Sequence, residues 1–337
     1  MKTNTEGRLI ICIALLMMAA LAGCTPGIGS DSENLPPNWI ESSIESGGLT
    51  RWYRVYTPDP LPEDSSIVLY LHGGTLSMRS ILSPLADSTS TWPEIAEQEG
   101  VVLVVPNGVN PETGDTYGND QNWNDLRQDG AAGQHQVDDV GFLLALLDKI
   151  ESDLGLTQPQ IFVTGASNGG FMTYRLLIEA PERFAAGAAF IANLPDIGGS
   201  LSHPKQPTPL MIANGTDDPL VPWDGGMVGK NRGMVISAEE TVEWWIKANG
   251  ADPGRVEVLL LPDLAPDDDC RIERKYFPPS SDGAPVLFYS ILGGGHTLPT
   301  VAEPGWFERL SSRLLGPVCH DADGILLAWD FFSEFSK

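Results

Sequence analysis

The chain has 337 residues, and its 45 acidic residues against 20 basic ones give a formal net charge of −25. Such a chain has few cations with which to line a nucleic-acid backbone, so we expect no nucleic-acid partner. Hydrophobic residues make up 42% of the chain and charged residues only 19%, which excludes intrinsic disorder and favours a large buried core. The length suits one large α/β domain or two smaller ones.

The first 23 residues are typical of an export signal. Lys2 and Arg8 precede the apolar run Leu9–Ala22, which is shorter than the roughly 18–20 apolar residues of a membrane-spanning helix. The run ends in Leu-Ala-Gly-Cys at residues 21–24, which resembles the signal of bacterial lipoproteins. That resemblance implies cleavage before Cys24, a lipid on Cys24, and an extracytoplasmic protein held at a membrane only through this lipid, in the periplasm or at the cell surface. An ordinary secretory signal or an uncleaved anchor is the alternative.

Residues 24–45 begin with a stretch rich in Pro, Gly, Ser, Asp and Asn, and we expect them to form a flexible tether to a single domain at 46–337. Once Cys12 leaves with the signal and Cys24 carries lipid, two cysteines remain. An exported compartment tolerates disulfides, so a bridge between Cys270 and Cys319 is predicted, with two unpaired thiols as the alternative. No C-x-x-C motif occurs, and no metal site is expected.

Strands and helices alternate along the rest of the chain. Short runs rich in apolar residues predict strands, in chain order, at 66–71, 101–105, 160–164, 186–192, 209–213, 256–261 and 285–291. Several are apolar throughout, as expected of parallel strands covered on both faces. Helical periodicity is found at 137–154, 169–180, 237–248 and 304–315. The order predicts a doubly wound α/β domain with a mostly parallel sheet and helices on both faces, in which the long loops 107–136 and 194–208 shape the pocket.

The pentapeptide Gly-Ala-Ser-Asn-Gly at residues 165–169 is the first candidate for chemistry. The pattern G-x-S-x-G is weak alone, so its context decides. An apolar run at 161–164 precedes it and a helical pattern follows, which is the strand–turn–helix of a nucleophile elbow. This predicts Ser167 as a nucleophile. The alternative is a glycine-rich turn in which Ser167 merely caps the helix.

A serine nucleophile needs a general base, and in this fold the chain order is serine, acid, histidine. That order leaves His296 and His320 as candidates and excludes three histidines that precede the acid, namely His72, His135 and His203. His296 is favoured because it follows an apolar strand within Gly-Gly-Gly-His-Thr, whereas no strand leads into His320.

The acid should follow the strand at 209–213, where Asp217 and Asp218 are adjacent and Asp224 is a more distant candidate. Residue pattern alone does not rank the first two. The string Leu-His-Gly-Gly-Thr at 71–75 also follows an apolar strand. The backbone N–H groups of Asn168 and of Gly74 or Thr75 could therefore converge on an oxyanion, with His72 as a structural residue.

Several strings together resemble the α/β-hydrolase esterases that include polyhydroxybutyrate depolymerases, feruloyl esterases and related carbohydrate esterase family 1 enzymes. In chain order they are L-H-G-G at 71–74, W-N at 123–124, D-D-V-G-F at 138–142, G-A-S-N-G-G at 165–170, G-T-D-D-P-L-V-P at 215–222, G-G at 225–226 and G-G-G-H-T at 293–297. The resemblance implies the α/β-hydrolase fold and a triad of Ser167, His296 and Asp218, the last because it matches the family's G-T-x-D acid.

Trp123, Asn124 and Trp223 are candidate substrate-binding residues, with simple packing as the alternative for both tryptophans. Relatives often carry cysteines after W-N, and this chain has none there. Relatives also often read G-H-T-W-P where this chain has Leu298 after His296-Thr297. The missing aromatic ring beside the base argues against an aromatic acyl substrate.

The residues and the resemblance together predict a secreted, lipid-anchored serine esterase that acts through an acyl-enzyme and needs no cofactor. The expected substrates are carboxylic esters of the polyhydroxyalkanoate oligomer, feruloyl or acetyl type. A serine peptidase on the same fold is one alternative, because a triad does not by itself choose between ester and amide. A surface-binding lipoprotein with a disused hydrolase fold is the other.

Overall fold

The computed structural model describes residues 35–83, 91–127, 137–199, 201–229 and 231–336, and a compact unit spans Asn38–Lys337. Its strands are β1 (Trp39–Ser46), β2 (Leu49–Tyr56), β3 (Ile67–Leu71), β4 (Val102–Pro106), β5 (Ile161–Ala166), β6 (Ala186–Phe190), β7 (Leu210–Gly215), β8 (Gly226–Met227), β9 (Met234–Val235), β10 (Glu257–Leu260), β11 (Arg271–Phe277) and β12 (Val286–Leu292). Its helices are α1 (Thr91–Glu99), α2 (Asp139–Leu154), α3 (Asn168–Glu179), α4 (Ala238–Asn249), α5 (Trp306–Leu315) and α6 (Gly324–Ser333). None of these helices combines the length and apolarity that crossing a bilayer requires.

The sheet confirms the predicted α/β-hydrolase fold. Its ten strands run in the order β1-β2-β4-β3-β5-β6-β7-β12-β11-β10. The pairs from β4 through β12 are parallel, and antiparallel pairs close both ends of the sheet. Every residue of β3, β4 and β6 is buried, which explains why these segments are apolar throughout. The strand order places the carboxyl ends of β5, β7 and β12 along one edge of the sheet, where a hydrolase carries its site.

Helices cover both faces of the sheet. Alternate side chains of β5 point to opposite faces, and Val163 belongs to one large cluster with the apolar residues of α2, α3 and α4. On the opposite face Phe162 stacks on Phe332 of α6, with ring centroids 4.8 Å apart. Trp92 of α1 stacks on the same Phe332 at 6.3 Å. The parallel centre of the sheet is therefore closed to water on both sides.

The predicted boundary between tether and domain at residue 46 is wrong. Residues 39–46 form strand β1, which pairs with β2 in a register that places Trp39 opposite Tyr56. The aromatic rings of this pair meet edge to face at 5.5 Å. The sequence pattern does not predict this strand because its residues, Trp-Ile-Glu-Ser-Ser-Ile-Glu-Ser, are mostly polar, which is common in strands at the edge of a sheet. The signal at 1–23 and Cys24 lie outside the described residues.

Candidate active site

Ser167 lies at the turn between β5 and α3, with φ 53° and ψ −120°, a conformation that residues other than glycine rarely adopt. Its N–H donates to the carbonyl of Phe190 at 2.9 Å, which holds the turn against β6. A Cβ on Gly169 would lie 2.1 Å from the carbonyl oxygen of Leu71, and one on Gly165 would lie 2.6 Å from the backbone of Gly169. The turn therefore admits only glycine at both positions. The Ser167 hydroxyl makes no capping hydrogen bond to α3, so it does not serve as a helix cap.

His296 and Asp218 form a hydrogen-bonded pair beyond the ends of β12 and β7. His296 Nδ1 lies 2.8 Å from Asp218 Oδ2, and their side chains are only 9% and 2% exposed. The second oxygen of Asp218 accepts the N–H groups of Leu220 at 2.7 Å and Val221 at 2.8 Å. Because the carboxylate accepts, Nδ1 of the imidazole carries the hydrogen and Nε2 is left as the proton acceptor.

The neighbouring Asp217 does not contact His296. Its side chain is exposed, and its carboxylate accepts a hydrogen bond from the Thr216 hydroxyl at 3.0 Å. Its backbone N–H donates to the carbonyl of Gly294 at 2.9 Å. Of the two adjacent carboxylates, the structure therefore brings Asp218 to the histidine.

The loops that carry Asp218 and His296 are packed directly on each other. A Cβ on Gly215 would lie 2.2 Å from the carbonyl oxygen of Gly294. Gly293 donates its N–H to the hydroxyl of Thr216 at 2.8 Å, and Gly295 donates its N–H to the carbonyl of Pro317 at 2.8 Å. The close approach of Gly215 to Gly294 and the Gly293–Thr216 bond hold the two loops together, in addition to the Asp218–His296 contact.

Asn168 holds the elbow to the loop after residue 122. Its side-chain oxygen accepts the N–H of Trp123 at 2.7 Å, and its amide nitrogen donates to the carbonyl of Trp123 at 3.1 Å and to the Asp125 carboxylate at 2.7 Å. Its backbone N–H belongs to the first turn of α3, where no intrahelical acceptor exists. A Cβ on Gly74 would lie 3.4 Å from Cβ of Asn168, so the 71–75 loop lies beside the elbow.

The structure separates the two candidates for the second oxyanion donor. The N–H of Thr75 donates to the carbonyl of Gln121 at 2.9 Å, so the expectation that Thr75 offers a free N–H is wrong. The bond forms because Leu76 and Gln121 make a β-bridge that draws Thr75 toward the 121–122 segment. Gly74 remains as the donor candidate in this loop.

Trp123 is not placed to contact a substrate. Trp123 is fully buried, its indole N–H donates to the carbonyl of His72 at 3.0 Å, and its ring lies 4.8 Å from the imidazole. The side-chain amide of Asn124 donates to the carbonyl of Val137 at 2.8 Å, which ties its loop to the start of α2. The expectation of a binding role is therefore wrong for Trp123, whereas a role of the half-buried Asn124 stays a prediction. Trp223 is half-buried and stacks on Phe288, with centroids 5.7 Å apart, so it keeps an exposed edge.

His72 is a structural histidine. Gly108 N–H donates to its Nε2 at 3.0 Å, so Nδ1 carries the hydrogen and donates to the carbonyl of Gly73 at 2.8 Å. Burial lowers the pKa of His72 from 6.5 to about 4, which keeps the ring neutral. A neutral imidazole with both nitrogens occupied cannot act as a base, but it does fix the shape of the 71–75 loop.

The remaining histidines lie elsewhere. His320 contacts Glu308 at 3.0 Å through Nε2, and its neighbour Cys319 forms a disulfide with Cys270. The disulfide joins the start of β11 to the segment between α5 and α6. Thr300, which follows the His296 loop, donates its N–H to the carbonyl of Cys319 in that segment at 2.9 Å. The ring of His203 packs on Trp244, and His135 lies outside the described residues.

Two residues that sequence reasoning missed support the elbow. Arg127 Nη2 lies 2.6 Å from Asp125 Oδ2, and both side chains are buried. The guanidinium of Arg127 lies 4.1 Å from the ring centroid of Phe171 on α3, and it also donates to the carbonyl of Arg232 at 2.9 Å. Asp125 therefore holds Asn168 while its own charge is balanced. Asp125 directly follows the W-N string, and this position is the sequence feature that could have identified it as a residue of the site.

The arrangement suits acyl transfer. It combines a serine on a strained turn, a buried histidine–carboxylate pair and N–H groups at a helix N-terminus. Among the residues that the structure describes, no three His, Cys, Asp or Glu side chains are grouped as metal ligands.

Comparison with known proteins gives the family. A family model described as the prolyl oligopeptidase family matches residues 88–194. The putative esterase NocK of Nocardia uniformis subsp. tsuyamanensis is 31% identical over 264 residues, which cover 75% of this chain and 72% of that protein. The probable feruloyl esterase C of Aspergillus niger is 26% identical over 258 residues, covering 74% of this chain and 80% of that protein.

The poly(3-hydroxybutyrate) depolymerase of Ralstonia pickettii is 30% identical over 186 residues, which cover 53% of this chain and 36% of that protein. The putative esterase NocK is more than 30% identical and matches over more than two thirds of both chains. The chain therefore belongs to the esterase group of α/β-hydrolases that includes feruloyl esterases and poly(3-hydroxybutyrate) depolymerases.

Proposed function

We propose that the protein is a serine carboxylic ester hydrolase in which Ser167, His296 and Asp218 form the catalytic triad. The observation that carries this proposal is the buried contact between His296 Nδ1 and Asp218 Oδ2, on loops that end strands of the same sheet as the Ser167 elbow. His296 Nε2 takes the hydroxyl proton of Ser167 as the serine oxygen attacks the ester carbonyl. Asp218 stabilises the imidazolium that results.

The backbone N–H groups of Asn168 and Gly74 stabilise the negative charge on the tetrahedral intermediate. His296 then returns the proton to the leaving alcohol, and the acyl group stays on Ser167. A water molecule that loses a proton to His296 attacks this acyl-enzyme, and the carboxylic acid is released. The Asn168 side chain contributes indirectly, because its bonds to Trp123 and Asp125 fix the first turn of α3.

The substrate class that we propose is an aliphatic ester in soluble or oligomeric form. Relatives named as feruloyl esterases and as a poly(3-hydroxybutyrate) depolymerase support an ester substrate. Position 298 beside the base carries a buried leucine, so no aromatic ring is available there to stack on an aromatic acyl group.

Hydrolysis of p-nitrophenyl butyrate by residues 25–337 tests the proposal. We expect turnover that Ser167→Ala and His296→Ala each abolish, while Ser333→Ala, a change at an exposed serine of α6, leaves it intact. Normal activity in a well-folded Ser167→Ala variant would refute the triad. The match to the prolyl oligopeptidase family favours a peptidase as the second candidate. Peptide p-nitroanilides tested in parallel decide between them, since a peptidase would cleave the amide in a Ser167-dependent reaction and an esterase would leave it intact.

We also propose that the protein is exported and anchored through a lipid on Cys24, which rests on the Leu-Ala-Gly-Cys string at residues 21–24. The test is intact-mass analysis of the membrane fraction from a bacterial host. The wild-type chain should lose residues 1–23 and gain the mass of a lipid, whereas Cys24→Ser should show neither change. An identical mass for both chains, apart from the substituted atom, would reject lipoprotein processing.

A further inference from the structure

Leu76 is an exposed apolar residue just after the loop that follows β3. The nearby apolar residues Leu71 and Met78 are fully buried, whereas 43% of Leu76 is accessible. A single exposed leucine is common on protein surfaces and by itself indicates nothing. The position of Leu76 gives it significance, because it lies two residues after Gly74, the proposed second oxyanion donor.

The Leu76 side chain lies close to that of Ser167. A Cβ built on Gly73 would lie 3.5 Å from Cδ1 of Leu76 and 3.8 Å from Cβ of Ser167. A methyl group at that point would therefore touch both side chains, since carbon atoms in van der Waals contact are about 3.5–4.0 Å apart. Because residue 73 is a glycine, the point is left free for an atom of a bound molecule.

The main chain of Leu76 is fixed by hydrogen bonds on both of its polar groups. Its N–H donates to the carbonyl of Gly73 at 3.3 Å, and its carbonyl accepts the N–H of Gln121 at 2.9 Å. The second bond belongs to the β-bridge between Leu76 and Gln121. A main chain that is already ordered loses little freedom when a ligand contacts its side chain, which suits Leu76 to form a wall of a pocket.

The strand order indicates which part of an ester lies next to Leu76. Strands β3 and β12 lie on opposite sides of β5, and His296 follows β12. In the proposed mechanism His296 faces the leaving alcohol, because it returns a proton to that oxygen. The alcohol then lies on the β12 side of Ser167. The acyl chain is left with the β3 side, where Leu76 lies.

We infer that Leu76 contacts the acyl chain of the ester and selects saturated aliphatic acyl groups longer than acetyl. The inference rests on the proposed function, since it requires that Ser167 carries the acyl group. The carbons of a longer chain cover the exposed surface of Leu76 and remove it from water, which an acetyl group is too short to do. The contact persists in the acyl-enzyme, because the acyl chain stays on the same side of Ser167.

Hydrolysis of p-nitrophenyl acetate and butyrate by the full-length protein in mild detergent tests the inference. The ratio of kcat/KM for the butyrate to that for the acetate should exceed one in the wild type. Leu76→Ala should lower this ratio by roughly 5-fold, whereas Leu76→Met retains the apolar surface and should keep it. Leu259→Ala is the matched control, because Leu259 is 53% exposed on β10, at the end of the sheet, and the ratio should not change.

A second alcohol distinguishes contact with the acyl chain from contact with the leaving group. Leu76→Ala should lower the ratio by the same factor for 4-methylumbelliferyl acetate and butyrate, because only the alcohol differs. A wild-type ratio of one or less, an unchanged ratio in Leu76→Ala, an equal fall in Leu259→Ala or a fall confined to one alcohol would overturn the inference. Turnover that depends on Ser167 would in those cases still support the proposed function. A wild type without such turnover would refute the proposed function, and the inference with it.

Discussion

At the scale of single residues, Ser167, the proposed nucleophile, is held in place in a strained backbone conformation. Ser167 has φ 53°, and the β-branched Ile191, which follows the acceptor of the Ser167 N–H bond, has φ 46°. Each such conformation costs about 1–3 kcal/mol and persists only where the surroundings enforce it. Here Ile191 N–H bonds to the carbonyl of Ala213 at 2.8 Å, so two adjacent strands hold both residues. The serine therefore needs no side-chain partner to stay on its turn.

The two adjacent carboxylates should differ sharply in their effect on catalysis. Asp218→Asn keeps the shape of the side chain but removes the charge that stabilises a protonated His296, and it permits the wrong imidazole tautomer. We expect kcat to fall by about 10³–10⁴-fold. Asp217→Asn is the control, because its exposed side chain contacts only the Thr216 hydroxyl, and its kcat should stay close to that of the wild type. Steady-state hydrolysis of p-nitrophenyl butyrate measures both, and the reverse order would move the acid by one residue.

The buried His72 should make the protein less stable in mild acid. Its pKa is about 4 in the folded chain against 6.5 for an unperturbed histidine, so between these values the unfolded chain binds a proton that the folded chain does not. The contribution is fully present above pH 6.5 and is lost as the pH falls toward 4. The expected loss is about 3 kcal/mol in the free energy of unfolding.

Urea unfolding at pH 7 and at pH 4.5 measures this effect in the wild type and in His72→Gln. The glutamine oxygen can accept the Gly108 N–H but does not titrate. We expect the variant to lose less stability than the wild type on acidification, even if it is less stable at pH 7. An equal loss in both proteins would assign the acid sensitivity to other groups.

The residue patterns single out the three proposed triad residues, two of which the structure brings into contact, and the errors elsewhere have a common cause. Ser167, His296 and Asp218 are marked by short strings around them. Whether Thr75 has a free N–H depends instead on a β-bridge to Gln121, which is 46 residues away along the chain. The buried indole of Trp123 likewise bonds to His72, which is 51 residues away along the chain. Such contacts join distant segments, and no local pattern records them.

At the scale of elements, the contrast between local pattern and long-range contact also explains which strands the sequence predicts and which it does not. The sequence predicts strands β3 to β7 because burial on both faces makes β3, β4 and β6 apolar throughout and leaves one polar residue each, Thr164 and Asn214, in β5 and β7. Strand β11 was missed because four of its seven residues are charged, and it sits near the sheet's edge. Strand β10 was found, yet it is exposed, because an apolar run does not reveal whether anything covers it.

The loop that carries Asp218 packs directly on the loop that carries His296. Adding a single methyl group between them should therefore lower both stability and activity. Gly215→Ala places a Cβ against the carbonyl oxygens of Gly294 and Gly295, at 2.2 Å and 2.5 Å in the present backbone, so the loops must separate. We expect the free energy of unfolding to fall by about 1–3 kcal/mol, with a lower kcat because Asp218 and His296 move apart. Gly305→Ala is the matched control, since no atom lies within 4 Å of its Cβ. Urea unfolding and ester kinetics measure both variants, and equal behaviour would show that the loops yield freely.

At the scale of the whole molecule, charge is the property that reaches furthest from the site. The formal net charge is −25. The apolar interior of the protein has a low dielectric constant, so it weakens the field of these charges less than water does. We therefore expect anionic substrates to be repelled before they reach Ser167 and neutral esters to be unaffected. The repulsion extends over the Debye length, which is about 30 Å at 0.01 M salt and about 8 Å at 0.15 M.

This reasoning predicts a salt dependence that depends on the substrate's charge. The value of kcat/KM for the anionic mono-p-nitrophenyl succinate should rise several-fold when ionic strength increases from about 0.01 M to about 0.15 M, because the repulsion is screened. The value for p-nitrophenyl butyrate, which has the same acyl length and no charge, should stay constant. Ser167→Ala supplies the background rate for each ester at each salt concentration. An equal response of the two esters would mean that salt acts on the enzyme itself, and a flat response for both would mean that the acidic surface leaves the approach to the site untouched.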